Sequence, residues 1–263
     1  MRIAVTNQKG GVAKSTTVVN LAGAIAETGR SVLVIDLDAQ ADATRWLDAK
    51  PGESDVLSVL LREATVDEAV VPCVVPGIEV LPATSELAGA ERSLSSQVGI
   101  ELRLRTALAR ARPRDVVLID CPPSLGLQTV GGLAAAETVL VPVVPGVLEL
   151  HAVAALAETV DQVADALAPG LAIGHILVSA ATPRTRIDRD VVASLRRRFP
   201  DQLMKTVITR STRLREAAAA RKPITVWDPG SGAAEQFRAA ASELLGTAAT
   251  AATTTPDTDR STA

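Results

Sequence analysis

The chain has 263 residues and a formal net charge of −3, with 47% hydrophobic and 22% charged residues. That balance is ordinary for a globular protein able to bury a sizeable core. Two cysteines, Cys73 and Cys121, exclude a disulfide framework or a four-cysteine metal centre within one chain, and 2% aromatics with no tyrosine argue against modules that stack single-stranded bases on aromatic platforms.

Ile3-Ala4-Val5 is too short for the apolar region of a signal peptide. No uninterrupted apolar run approaches the roughly 18 residues that span a bilayer, so a cytoplasmic setting is expected. Continuous aliphatic runs recur at Ile3–Val5, Val32–Ile35, Val116–Ile119, Val139–Val144 and Ile176–Val178. They do not alternate with polar residues, as expected of strands covered on both faces of a parallel sheet. Helical patterns lie between them: Ser15–Glu27 after the first run, then Leu150, Val153, Leu156, Val160, Val163 and Leu167 at spacings of three and four. The alternation predicts an α/β fold, a doubly wound, mostly parallel sheet with helices on both faces, in a single domain over residues 1–246. Residues 247–263, Thr- and Ala-rich with no large apolar side chain, read as a disordered tail.

Ligand loops of such a sheet gather at the carboxyl ends of its strands, here after Val5, Ile35 and Ile119. The first loop reads Lys9-Gly10-Gly11-Val12-Ala13-Lys14-Ser15-Thr16 and runs from a strand straight into a helix. Paired glycines let successive N–H groups point at phosphate oxygens, and the opening helix adds its positive end. In that pattern Lys14 reaches the β- and γ-phosphates and the Ser15 hydroxyl coordinates Mg²⁺. The strict phosphate-loop pattern has glycine where this chain has Gln8 and Ala13.

The segment resembles the deviant Walker A of the ParA/MinD family of dimerising P-loop ATPases, whose extra lysine stands where Lys9 is. The resemblance implies ATP and Mg²⁺ as cofactors, an ATP-dependent homodimer, and a catalytic Lys9 that crosses to the partner's ATP. A cation placed so stabilises charge on the transferring phosphoryl group. Asp36-Leu37-Asp38-Ala39-Gln40 follows the second run, with Asp38 placed to orient the attacking water and Asp36 near the metal. The family usually carries proline where Ala39 stands, so this loop is expected to be less rigid. Asp120-Cys121-Pro122-Pro123-Ser124 ends the third run in the Walker B arrangement, with Asp120 holding Mg²⁺, and closely resembles the chromosome- and plasmid-partition branch. Cys121 reads as a small buried residue.

Between Arg184 and Lys222 stand twelve Lys/Arg against four Asp/Glu, a local +8 that leaves about −11 for the rest. The segment Ile187–Phe199 puts Ile187, Val191, Val192, Leu195 and Phe199 on one helical face. Arg184, Arg186, Arg189, Arg196, Arg197, Arg210, Arg213 and Arg215 are the residues expected to touch DNA phosphates without reading bases. The resemblance further implies non-specific double-stranded DNA, nucleoid association in the ATP state, and a ParB-like centromere-binding partner that stimulates slow hydrolysis. A MinD-like regulator at the membrane is the alternative. It needs an amphipathic basic terminal helix, whereas Ala234, Phe237, Ala241, Leu244 and Leu245 repeat like core, so no stable membrane association is expected. His151 projects away from its helix's apolar stripe and His175 precedes a strand without a metal-ligand companion.

Overall fold

Side chains of a strand point alternately to the two faces of its sheet, so an apolar run without alternation needs cover on both. A computed structural model, which describes residues 1–95, 97–146, 149–182 and 185–252, supplies that cover. The strands are β1 (Arg2–Val5), β2 (Val32–Asp36), β3 (Val71–Pro72), β4 (Ile78–Leu81), β5 (Val116–Asp120), β6 (Thr138–Val143), β7 (Ile173–Ala181) and β8 (Leu203–Thr209). They form one sheet in the order β3-β4-β2-β5-β1-β6-β7-β8. All pairings are parallel except that of β3 with β4 at one edge.

Helices α1 (Lys14–Ala26) and α2 (Asp42–Trp46) lie on one face. The opposite face is covered by α3 (Val56–Leu61), α4 (Val66–Ala69), α5 (Glu86–Ser95), α6 (Arg103–Arg110), α7 (Leu127–Ala135), α8 (Glu149–Ala166) and α9 (Arg186–Arg198). The chain then returns to the first face through α10 (Thr212–Ala219), α11 (Ile224–Trp227) and α12 (Gly232–Ala252). Two apolar layers result. Ile3 and Val5 enter the first, and Ala4, between them, enters the second. The doubly wound expectation therefore holds, with β1 central and the chain departing to either side of it. Such a switch point opens a crevice at the carboxyl ends of the strands.

Several elements were not legible. β8 mixes Leu203 and Met204 with exposed Lys205 at the sheet edge, and β4 is only four residues long. β7 is longer than its apolar run: it starts at Ile173, so His175 lies inside the strand, buried and paired with Leu140, rather than ahead of it. Burial pushes the His175 imidazole below its ordinary pKa, against the opposing charge of Glu243. Near its end β7 shifts register against β8, and Ala180 takes a left-handed φ of 50°.

Helix α12 packs Ala234, Phe237, Ala241 and Leu244 into the core. Its backbone continues to Ala252, past the expected start of the tail at Thr247, because alanine sustains a helix better than any other residue. Residues 253–263 lie outside the described residues.

Candidate nucleotide site

The loop between β1 and α1 is pinned at one point and open elsewhere. Asn7 is buried; its Nδ2 donates to the Pro142 carbonyl at 2.8 Å, and its Oδ1 accepts from the Lys9 N–H at 3.0 Å. The loop is thereby tied to the end of β6. Gly11 adopts φ 74°, and a Cβ added to Gly10 or Gly11 would meet nothing within 4 Å. The room beside these glycines therefore faces a cavity rather than packed protein. Ala13, the residue before α1, holds φ 67° with no side-chain cap. An alanine there carries strain that the strict pattern's glycine would avoid. The first N–H groups of α1, like those of any α-helix, have no partner within the helix.

That cavity, of about 760 Å³, brings Gly10, Lys14, Ser15 and Asp38 together. Its far wall is Arg45, Trp46 and Arg221, which sequence reasoning did not single out. Trp46 is fixed there by an Nε1–H bond of 2.9 Å to the Lys222 carbonyl, a contact between segments 176 residues apart. Lys14 is buried, and its ammonium group reaches the Lys9 carbonyl at 3.4 Å. Burial pushes its pKa down, and the carboxylates of Asp120 and Asp38 partly restore it.

Asp36 and Asp120 pair across β2 and β5 and are both fully buried. Asp36 is wholly engaged by protein. Its Oδ1 accepts from the Asp38 N–H at 3.1 Å, and its Oδ2 accepts from Thr44 N–H at 2.9 Å and Thr44 Oγ1 at 2.7 Å. Desolvation raises its pKa to about 6 against these bonds. Neither carboxylate oxygen of Asp120 has a hydrogen-bond partner among the described residues. The Ser15 hydroxyl and the Lys14 charge lie near enough to favour the ionised form, yet burial and then Asp36 drive its pKa well above the carboxylate range. Two orphaned, buried carboxylate oxygens beside a serine at a helix start fit a divalent cation that keeps part of its water shell. Asp38 is half-buried, and its Oδ1 accepts from the Gln40 N–H at 2.9 Å.

A second cavity of about 440 Å³ opens on the other side of Gly11, walled by Thr16, Ser179, Thr209 and Phe237. The hydroxyls of Thr17 and Ser179 that line it are buried and unpartnered among the described residues.

The chain is similar to several known proteins. A family described as an AAA domain matches residues 1–173. The chain is 38% identical over 245 residues to the sporulation initiation inhibitor protein Soj of Bacillus subtilis, covering 92% of this chain and 97% of Soj. It is 37% identical to the chromosome partitioning protein ParA of Myxococcus xanthus, covering 92% of this chain and 87% of that one. A solved structure of cobyrinic acid a,c-diamide synthase from Mycobacterium smegmatis, with bound ATP analogue and magnesium, superposes with a TM-score of 0.82 at 35% identity, covering 95% of this chain and 96% of that chain. The chain belongs to the ParA/MinD family of P-loop ATPases.

Among ParA/MinD family features, the extra lysine is where the fold adds most. Lys9 does not line either cavity. Its ammonium group sits 2.5 Å from Glu149 Oε1, on the first turn of α8. Glu149 carried no signal in the sequence, since the pair spans 140 residues.

Among the described residues the basic residues are spread over α9, the residue after β8, and α10. Arg184 lies outside the described residues. Arg186 and Arg189 open α9, and Arg210 is held beside them by its N–H bond of 2.9 Å to the Ala181 carbonyl. Arg196 and Arg197 stand at the far end of the same helix, about 15 Å away at 1.5 Å per residue. Arg213 is already paired with Glu216 at 2.8 Å and Asp228 at 3.5 Å. Arg189, Arg196, Arg210 and Arg215 are exposed and make no ion pair among the described residues. His151 is exposed, and Cys121 is fully buried with its thiol pushed far up by desolvation. Among the described residues no helix is long and apolar enough to cross a membrane.

Proposed function

We propose that this chain is a partition-type ATPase. It binds ATP with Mg²⁺, closes into a two-fold dimer, grips double-stranded DNA without sequence preference, and lets go after slow hydrolysis stimulated by a ParB-like centromere-binding partner. The observation that carries the reading is Asp120: a fully buried carboxylate with neither oxygen partnered among the described residues, beside Lys14 and Ser15 at the start of α1.

The backbone N–H groups of residues 10–16, with Lys14, hold the triphosphate, and Ser15 and Asp120 hold the cation. Bound Mg²⁺ supplies charge neutralisation at the phosphates. Asp36 takes no direct part in metal binding in this reading; its three hydrogen bonds shape the loop that carries Asp38. Asp38 orients the attacking water. Lys9 of each protomer completes the other's site, as an arginine finger does in trans, an effect worth roughly 10³–10⁵ in rate. Dimer closure doubles the arginines presented to DNA, so nucleotide switches binding on by avidity.

The partition reading is preferred to a membrane-cycling one because Phe237, Ala241 and Leu244 of α12 are spent in the core. The deciding experiment measures retention on duplex DNA with ATP, ADP or no nucleotide, with calorimetric titration of ATP in Mg²⁺ and in EDTA. Retention with ATP alone is expected; equal retention in all three states would overturn the reading.

A further inference from the structure

A carboxylate taken out of water needs a counter-charge, and losing that partner strands a buried charge. Glu149 is such a group. It has no exposed side-chain surface, its Oε1 is held by Lys9 Nζ at 2.5 Å, and its Oε2 has no hydrogen-bond partner among the described residues. Its N–H donates to the Gly146 carbonyl at 3.3 Å, and the carboxylate folds back over that glycine. A Cβ at position 146 would come within 3.3 Å of Oε1, so the bare glycine leaves the carboxylate its seat. Lys9 is built differently. Its side chain is half exposed, while its backbone is pinned on both sides by Asn7 Oδ1 on the N–H and Lys14 Nζ on the carbonyl. Its ammonium group can therefore change partners by side-chain rotation alone, without the loop moving.

One ammonium group cannot neutralise Glu149 and a second protomer's triphosphate together. We propose that Glu149 is the positioning residue for Lys9: it holds the ammonium group within its own protomer and so sets the ATP concentration at which the dimer closes. This rests on the reading that Lys9 acts across the dimer. Closure releases one such pair from each protomer, so the opposing term enters twice. The monomer is favoured until nucleotide on the partner outcompetes a buried carboxylate, which is a shift in population set by differential affinity.

The test compares wild type with Glu149→Met, which keeps the apolar volume and removes the charge, and with Glu149→Gln, which keeps the shape. Dimerisation is followed by light scattering against a non-hydrolysable ATP analogue, after thermal melting has confirmed the fold of each variant. Glu149→Met is expected to lower the half-dimerising analogue concentration ten-fold or more, about 1.4 kcal/mol, with Glu149→Gln shifting it less in the same direction. The effect must vanish when Lys9 is Ala, as a double-mutant cycle requires of a contact between the two. An unchanged or raised concentration in a folded variant overturns the proposal, as does a gain that survives Lys9→Ala. If Glu149→Met does not fold, an unchanged Glu149→Gln does the same. Wild type that stays monomeric at every analogue concentration sinks the underlying dimer reading instead, so the two failures are distinguishable.

Discussion

Asp36 and Asp120 stand side by side in direct register on neighbouring strands, equally buried, yet Asp36 accepts three hydrogen bonds while neither carboxylate oxygen of Asp120 has a hydrogen-bond partner among the described residues. Their negative charges face each other across a strand pair in a desolvated site. Burial, and then the charge of Asp36, raise the pKa of Asp120, while burial is what raises that of Asp36. In the proposed function a cation held at Asp120 offsets that buried charge, so metal binding and folding stability are linked at Asp120.

The pH dependence follows. An Asp held at about 6 in the folded state against 3.8 in the unfolded chain keeps its proton through that window. The folded state then binds more protons than the unfolded one, so this stabilisation is fully present below about pH 4 and is lost as pH rises through about 6. The shift corresponds to a loss on the order of 3 kcal/mol, at about 1.4 kcal/mol per unit. Asp120→Asn removes one of the two charges. In EDTA at pH 7.5 the variant should melt about 4–8 °C above wild type, as about 2 kcal/mol would give, and should lose the extra stabilisation that ATP gives in Mg²⁺. A variant that melts below wild type in EDTA would contradict the cost of that buried charge.

Glycine positions separate cradle from core. A Cβ on Gly10 meets nothing, whereas one on Gly23 of α1 would stand 2.6 Å from Pro223 Cβ and 2.7 Å from Thr225 Oγ1. Gly23→Ala should cost about 1–3 kcal/mol by overpacking α1 against α11, read as a melting temperature lower by several degrees. Gly10→Ala should leave melting within about 0.5 kcal/mol of wild type and weaken ATP at least ten-fold in calorimetry. Normal ATP affinity in Gly10→Ala would mean the loop does not cradle phosphate.

The four central strands were legible because burial on both faces writes itself as unbroken aliphatic sequence in Ile3–Val5, Val32–Ile35, Val116–Ile119 and Val139–Val143. Edge strand β8 was not, since exposed Lys205 and half-buried Thr206 break the run. The phosphate loop was legible because its chemistry is local: glycine, lysine and serine at fixed offsets. What separates Asp36 from Asp120 is not local, since each simply ends an apolar run. The difference comes from Thr44, whose side chain and N–H both bond Asp36, and whose Oγ1 also accepts from the Ala83 N–H at 3.1 Å. Likewise the place of Lys9 is fixed by a glutamate 140 residues on.

For DNA the free arginines and the paired one should behave differently. If each protomer neutralises two phosphates, four per dimer give a log–log salt slope near −3.6, about a 150-fold loss in affinity from 50 to 200 mM salt. Arg210→Ala or Arg215→Ala, each removing two charges per dimer, should flatten the slope by about 1.8. Arg213→Ala should leave it unchanged, because Glu216 and Asp228 already balance that guanidinium group. Equal slopes for all three variants would remove these residues from the interface.

Asp38 sits where hydrolysis can be separated from binding. Its Oδ1 is committed to the Gln40 N–H, and its own N–H to Asp36, so the loop presents the carboxylate at the cavity that Lys14 and Ser15 share. Asp38→Ala removes no phosphate donor and no group with both oxygens orphaned in the way Asp120 has them. It should therefore bind ATP within a few-fold of wild type. In the proposed function what it loses is the group that orients water, an effect worth roughly 10²–10⁴ in rate, so the ATP-bound dimer should accumulate and stay on DNA after free nucleotide is removed. The loss of the exposed Gln40 contact should cost no more than about 1 kcal/mol of stability. Single-turnover hydrolysis and light scattering on the same sample give the answer. A variant that hydrolyses at the wild-type rate would move the water-orienting role to another residue, and one that fails to bind ATP would make Asp38 part of the nucleotide's hold rather than of the chemistry.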